Sequence, residues 1–208
     1  MKMNIDKQIL GIVETNSYII KNGDVCFVVD PADDYKRIMS RIGTSNLQFI
    51  LLTHGHFDHV LALGSLKNKY PDADIYIGAN DENMLRNFAE QSSYIGQKLD
   101  NLTIPLVKVK QDSVIHFGNQ NIRVIETPGH TEGSVCYLLN NILFSGDTLF
   151  YHTIGRTDFP GGDPIAMLDS LNKLADLPDK TIVYPGHGPD TTVGREKKYN
   201  PFFSRESG

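Results

Sequence analysis

The sequence predicts an α/β fold built in layers, sheet against sheet with helices outside. Strand-like blocks occur in both halves of the chain, and segments with helical periodicity follow them. In addition, metal-ligand side chains stand directly after several strands, and strand ends are where α/β folds place their sites. A chain of 208 residues, 40% hydrophobic and 22% charged, is expected to form one domain spanning 1–208.

The elements follow in order. Ile9 to Val13 and Ser17 to Ile20 are β-rich, and Asn22-Gly23-Asp24 reads as a hairpin turn into a strand from Val25 to Val29. Asp30-Pro31 ends that strand. The spacing of Tyr35, Ile38, Met39 and Ile42 predicts a helix from Asp33, stopped by Gly43. Leu47 to Leu52 is the next strand, followed by a helix from Val60 to Tyr70 that Pro71-Asp72 breaks. A short strand at Asp74 to Ile77 and a helix at Asp81 to Phe88 come next. Ala89 to Ile104 is polar and irregular; an insertion of this length either covers a site or is a solvated loop. Strands are expected at Val107 to Val109, Ser113 to Phe117, Ile122 to Ile125, Ser134 to Leu139 and Ile142 to Phe144, with turns at Gly118-Asn119 and Asn140-Asn141. Pro164 to Leu177 reads as an amphipathic helix with Ile165, Leu168, Leu171 and Leu174 inward. Thr181 to Tyr184 is a last strand.

Composition narrows the function. The net charge is -5 and no basic block is visible, which argues against nucleic-acid or anionic-membrane binding. The stretch from Met1 to Lys7 lacks the pattern of a signal peptide, and no apolar run reaches membrane-spanning length, so a cytoplasmic protein is expected. Cys26 and Cys136 sit in apolar, strand-like surroundings and are expected to be buried free thiols.

Thr53-His54-Gly55-His56-Phe57-Asp58-His59 places three histidines and an aspartate after an apolar strand. Imidazole and carboxylate are ligands that divalent transition metals favour. His130, Asp147 and His187 each follow another strand, beside Gly129, Gly146, Gly186 and Gly188, which allow tight turns. His116, inside a strand, and His152, in a loop, lack such framing and are expected to be structural. The seven candidates exceed one tetrahedral site and suit two adjacent ions with one carboxylate between them.

His54-Gly55-His56-Phe57-Asp58-His59, Gly129-His130-Thr131, Gly146-Asp147-Thr148 and Gly186-His187-Gly188 resemble, in order and spacing, the signature of the metallo-β-lactamase superfamily. The resemblance implies a four-layer αββα sandwich with two divalent ions, zinc first and iron or manganese as alternatives. It implies His54, His56 and His130 as ligands of the first ion, Asp58, His59 and His187 of the second, and Asp147 as the bridge. Within the superfamily, Thr127 to Ser134 and Ser145 to Phe150 look like the short bacterial glyoxalase II-type hydrolases, which cleave glutathione thioesters. This branch implies hydrolysis of a small-molecule thioester such as S-D-lactoylglutathione by a hydroxide bridging the metals, with Asp58 orienting it and receiving a proton. Arg156 in Gly155-Arg156-Thr157-Asp158-Phe159-Pro160 stands where longer relatives place a glutathione-contacting lysine. It either contacts substrate or ties its loop down through Asp158. The same string resembles persulfide dioxygenases, which hold one iron; they and lactonase relatives are the alternatives.

Overall fold

The computed structural model describes residues 3–96 and 98–203. They fall into two compact units that divide after Lys108, each with its own large sheet and helices.

The first unit opens with β1 (Asn4–Leu10), β2 (Thr15–Asn22) and β3 (Val25–Val29), an antiparallel meander. β1 starts and ends earlier than the apolar run suggests. Its polar residues are tolerated because it is the edge strand, while Ile12 and Val13 fall in the turn, where Ile12 is 78% exposed. α1 (Tyr35–Ile42) is capped by the Asp34 carboxylate, which accepts from Arg37 N–H, and stopped by Gly43. It buries Ile38 and Ile42, whereas Tyr35, expected on the inner face, is exposed. β4 (Asn46–Leu51), α2 (Phe57–Val60), α3 (Leu63–Lys69), β5 (Asp74–Gly78), α4 (Glu82–Arg86), α5 (Ser92–Ile95) and β6 (Val107–Val109) follow. The sheet order is β1-β2-β3-β4-β5-β6. β3, β4 and β5 are parallel because helices connect them, so their C-terminal ends share one edge.

The second unit holds β7 (Val114–Phe117), β8 (Gln120–Glu126), β9 (Val135–Leu139) and β10 (Ile142–Gly146). A small hairpin of β11 (Leu149–Phe150) and β12 (Thr153–Ile154) comes next. α6 (Pro164–Ala175), β13 (Ile182–Pro185), β14 (Thr191–Thr192) and α7 (Val193–Tyr199) complete the unit. The sheet order is β14-β13-β10-β9-β8-β7. β8 and β10 each run antiparallel to β9, and β13 is parallel to β10. β8, β10 and β13 therefore point the same way and end at one edge.

α6 departs from the expected inner face. Met167, Ser170, Leu171 and Leu174 are buried, while Ile165 and Leu168 are 72% and 52% exposed. At about 100° per residue, positions 167, 170, 171 and 174 form one stripe, and 165 and 168 lie well round the helix from Met167. Ser170 belongs inside because its hydroxyl donates to the Pro128 carbonyl at 2.7 Å. The elements after His187 were not expected. β14 and α7 are held by buried Glu196, which accepts from the Thr191 hydroxyl, from His152 N–H at 2.7 Å and from Asn200 Nδ2 at 3.0 Å.

Both cysteines are buried and free, as expected. Burial pushes each thiol up to about 11, so at pH 8 only roughly one part in a thousand is thiolate. Neither should react with a thiol-specific disulfide reagent in the folded protein, and both should react once it is unfolded. Rapid labelling of the native chain would contradict this. No helix among the described residues is long and apolar enough to cross a membrane.

Candidate metal centre

Within the first unit, the edge where β3, β4 and β5 end gathers His54, His56, Asp58 and His59 with their supports. His54 and His59 are wholly buried. Their ring centroids lie 4.2 Å apart, and those of His54 and His56 4.8 Å apart. A buried carboxylate, Asp30, stands behind them. His59 Nδ1 is 2.9 Å from Asp30 Oδ2, and Thr53 donates its N–H to Oδ1 at 2.8 Å and its hydroxyl to Oδ2 at 2.7 Å. His54 Nδ1 lies 3.1 Å from that same Thr53 oxygen. Since the Thr53 proton goes to Asp30, His54 Nδ1–H is the donor to Thr53, and His59 Nδ1–H the donor to Asp30. Each ring therefore carries its lone pair on Nε2, the arrangement of a metal-ligating imidazole braced from behind.

Asp58 is carried by α2, one residue before His59. Its Oδ2 accepts from the Thr15 hydroxyl at 2.8 Å and lies 3.4 Å from His59 Nε2. Two atoms that each sit ~2.0–2.1 Å from a shared tetrahedral ion are about 3.3–3.4 Å apart, so this spacing suits joint ligation. The loop itself is pinned from two sides. Gly55 N–H donates to buried Asp81 at 2.9 Å. Gln91 accepts from Phe57 N–H at 2.8 Å and donates to the Gly55 carbonyl at 2.9 Å. Gln91 belongs to the polar insertion, which forms short helical turns at Phe88–Gln91 and Ser92–Ile95; Gln97 lies outside the described residues. Tyr94 stacks on Phe57 with centroids 6.3 Å apart. The insertion was expected either to cover a site or to be a solvated loop; its buried Gln91 instead braces the histidine loop.

Within the second unit, the edge where β8, β10 and β13 end gathers His130, Asp147 and His187. His130 Nε2 is 3.5 Å and His187 Nε2 3.6 Å from Asp147 Oδ2. His130 Nδ1 donates to the Arg156 carbonyl at 2.8 Å, which again leaves the lone pair on Nε2. His187 is the more open ligand candidate, 28% exposed, with the Phe150 ring edge-on at 6.0 Å. Gly155 is required at its place, since a Cβ there would lie 1.8 Å from the Asp147 carbonyl oxygen. Gly155→Ala should lower the melting temperature by about 5–10 °C through this backbone clash, read by thermal unfolding; an unchanged melting point would contradict it.

The Arg156 side chain forms a two-pronged pair with Asp158, at 2.7 and 2.6 Å, and its guanidinium stacks over Phe159 at 3.7 Å from the ring centroid. Hydrogen bonding to that guanidinium holds the Asp158 carboxyl at about 2. The folded value lies below the ordinary one, so the pair is intact at neutral pH and opens only as the pH falls towards that value. His116 bonds Asn121 at 2.9 Å on the exposed face of the β7–β8 hairpin. His152 stacks on Tyr151 with centroids 4.1 Å apart and accepts from Arg195 Nε at 3.3 Å. Both are structural in these surroundings.

The supports Asp30, Thr15, Thr53 and Asp81 were not among the expected site residues. Asp30 carried the same signal as Asp147, an acidic residue directly after an apolar strand. It reads as a strand terminator because Pro31 follows. The donor set of imidazole Nε2 and carboxylate oxygens fits divalent zinc, iron or manganese.

Comparison with known proteins agrees with this chemistry. Residues 10–187 match the family model described as the metallo-beta-lactamase superfamily, across both units. The chain is 34% identical over 201 residues to YqgX of Bacillus subtilis (strain 168), named a probable metallo-hydrolase, covering 94% of this chain and 95% of that protein. It is 35% identical over 188 residues to the hydroxyacylglutathione hydrolase GloC of Haemophilus influenzae, covering 86% and 88%. Among solved structures it resembles the B3 metallo-beta-lactamase BLEG-1 (TM-score 0.90, 32% identity, 97% and 100% covered). It also resembles TTHA1623 in a di-iron-bound form (TM-score 0.86, 33%, 95% and 99%) and ETHE1 from Myxococcus xanthus (TM-score 0.80, 28%, 95% and 83%). The two large sheets with their helices match the fold these proteins share.

Proposed function

The chain belongs to the metallo-β-lactamase superfamily of metallo-hydrolases, and from that premise we propose that it hydrolyses small-molecule thioesters, S-D-lactoylglutathione among them. The observation that carries the reading is the bracing of the imidazoles. His54, His59 and His130 each commit Nδ1 to an oxygen behind the ring, which puts the lone pair on Nε2, the atom that would ligate a metal. The likeness to GloC supports the substrate class.

By the superfamily resemblance, His54, His56 and His130 would hold one divalent ion, Asp58, His59 and His187 would hold a second, and Asp147 would serve both. Zinc is the first choice, with iron or manganese as alternatives. Bound ions of this kind acidify water and stabilise an oxyanion. The chain's own part is positioning. Asp58, held by the Thr15 hydroxyl, orients the attacking water and takes its proton on a carboxylate oxygen. A departing thiolate requires no strong acid from the protein. Arg156 recognises a substrate carboxylate through the N–H groups it does not give to Asp158.

The test is to strip the protein with chelator, restore zinc, manganese or iron separately, and assay S-D-lactoylglutathione. Turnover should vanish on stripping and return with metal. Failure of all three metals to support turnover would reject the thioester reading. The resemblance of Gly155-Arg156-Thr157-Asp158-Phe159 to persulfide dioxygenases makes persulfide oxidation the second reading. Oxygen uptake with glutathione persulfide and one iron per chain would establish it instead.

A further inference from the structure

Beneath the turn that carries Asp147 lies a cluster of buried polar side chains that the chemistry above does not use. Thr127, Cys136, Ser145 and Thr148 are all buried. Thr148 donates its hydroxyl to Thr127 Oγ1 at 2.9 Å. Thr127 Oγ1 lies 3.4 Å from Cys136 Sγ, and Cys136 Sγ donates to the Ser145 carbonyl at 3.5 Å. Each hydroxyl and thiol has one proton to give. With the Thr148 proton on Thr127 and the thiol proton on the carbonyl, the Thr127 proton goes to sulfur. Thr148 N–H returns to the same Ser145 carbonyl at 3.1 Å. These bonds form a closed ring that begins and ends on the turn Ser145-Gly146-Asp147-Thr148. Through Thr127 the ring is pinned to the end of β8, in the loop that leads to His130.

Sulfur suits this place. Its contacts of 3.4 and 3.5 Å are longer than the ~2.7–2.8 Å that a hydroxyl would need at both ends. Serine at this position would fall short on each side unless the two loops moved together.

We infer that Thr127 and Cys136 are positioning residues for the metal: their ring holds the Asp147 turn against the His130 loop and so sets the gap of 3.5 Å between Asp147 Oδ2 and His130 Nε2. The inference rests on the proposed ligand roles of His130 and Asp147 and is independent of the substrate. Neither residue touches the reacting atoms. Loss of the ring should loosen metal binding before it affects anything else.

The test is metal affinity, measured on metal-free protein by competition with a chromophoric zinc chelator, with thermal unfolding in parallel. Thr127→Val keeps the shape and removes the hydroxyl; it should bind zinc about 10–100-fold more weakly, as expected when a supporting contact is lost. Thr127→Ser, which keeps the hydroxyl, should return to within about threefold of wild type on the same reasoning. If Thr127→Val fails to fold, Cys136→Ala gives the same reading, with binding about tenfold weaker expected. Wild-type affinity in the variant that folds, with only a lowered melting point, would overturn the inference and leave the proposed function standing. A wild-type chain that takes up no metal would overturn both.

Discussion

Asp58→Ala should lower kcat for thioester hydrolysis by at least about a thousandfold, because it removes a proposed ligand and the group that receives the proton. Asp58→Asn separates the two roles. Asparagine keeps the size and can still accept from the Thr15 hydroxyl, which the aspartate does at 2.8 Å. It cannot take up a proton near neutral pH. Its kcat should fall about a hundredfold or more while the second metal equivalent is still bound, though more weakly. Steady-state kinetics with metal analysis on both variants checks this. Wild-type kcat in Asp58→Asn would remove Asp58 from the chemistry.

The second large effect falls on Asp30, which touches no substrate. Its carboxylate, 2% exposed, serves three donors: His59 Nδ1–H, Thr53 N–H and the Thr53 hydroxyl. Asp30→Ala strands all three in a buried place, and each lost partner costs about 1–3 kcal/mol. For a chain of 208 residues the melting temperature should drop by about 10 °C or more. Metal affinity should fall about 10–100-fold, since the rings of His59 and His54 lose their bracing. Asp30→Asn is predicted to be only a partial rescue. Its amide NH2 presents a donor to one of the groups that the carboxylate now accepts from. Thermal unfolding and metal competition measure both effects. A stable Asp30→Ala protein with wild-type affinity would show that the bracing is dispensable.

Much of what the two strand edges gather was legible in the sequence, for a physical reason. His54, His56, Asp58, His59, His130, Asp147 and His187 each follow an apolar strand, and polar ligand-type residues there have few structural roles. The strands themselves were readable where burial imposes an apolar run, as in Val25–Val29 and Ile142–Gly146. Reading failed where polar groups are satisfied inside. Ser170 points into the core because the Pro128 carbonyl needs a donor. Glu196 is buried because three donors surround it. Hydrophobic periodicity carries no sign of such partners, so α6 was turned by part of a revolution and β14 and α7 went unseen. Asp30 was hidden by its neighbour, since Asp-Pro is also how a strand ordinarily stops. The insertion was readable as polar, but only the pairing of Gln91 with Gly55 and Phe57 tells what it braces.

The central claim is that two ions act together in one hydrolytic site, and metal titration of the stripped protein tests it most directly. Zinc, manganese or iron is added in sub-stoichiometric steps while S-D-lactoylglutathione hydrolysis and bound metal are followed on the same samples. Activity that saturates at two equivalents per chain is the expected result. Saturation at one equivalent of iron, with oxygen consumed and no thioester cleaved, would contradict it.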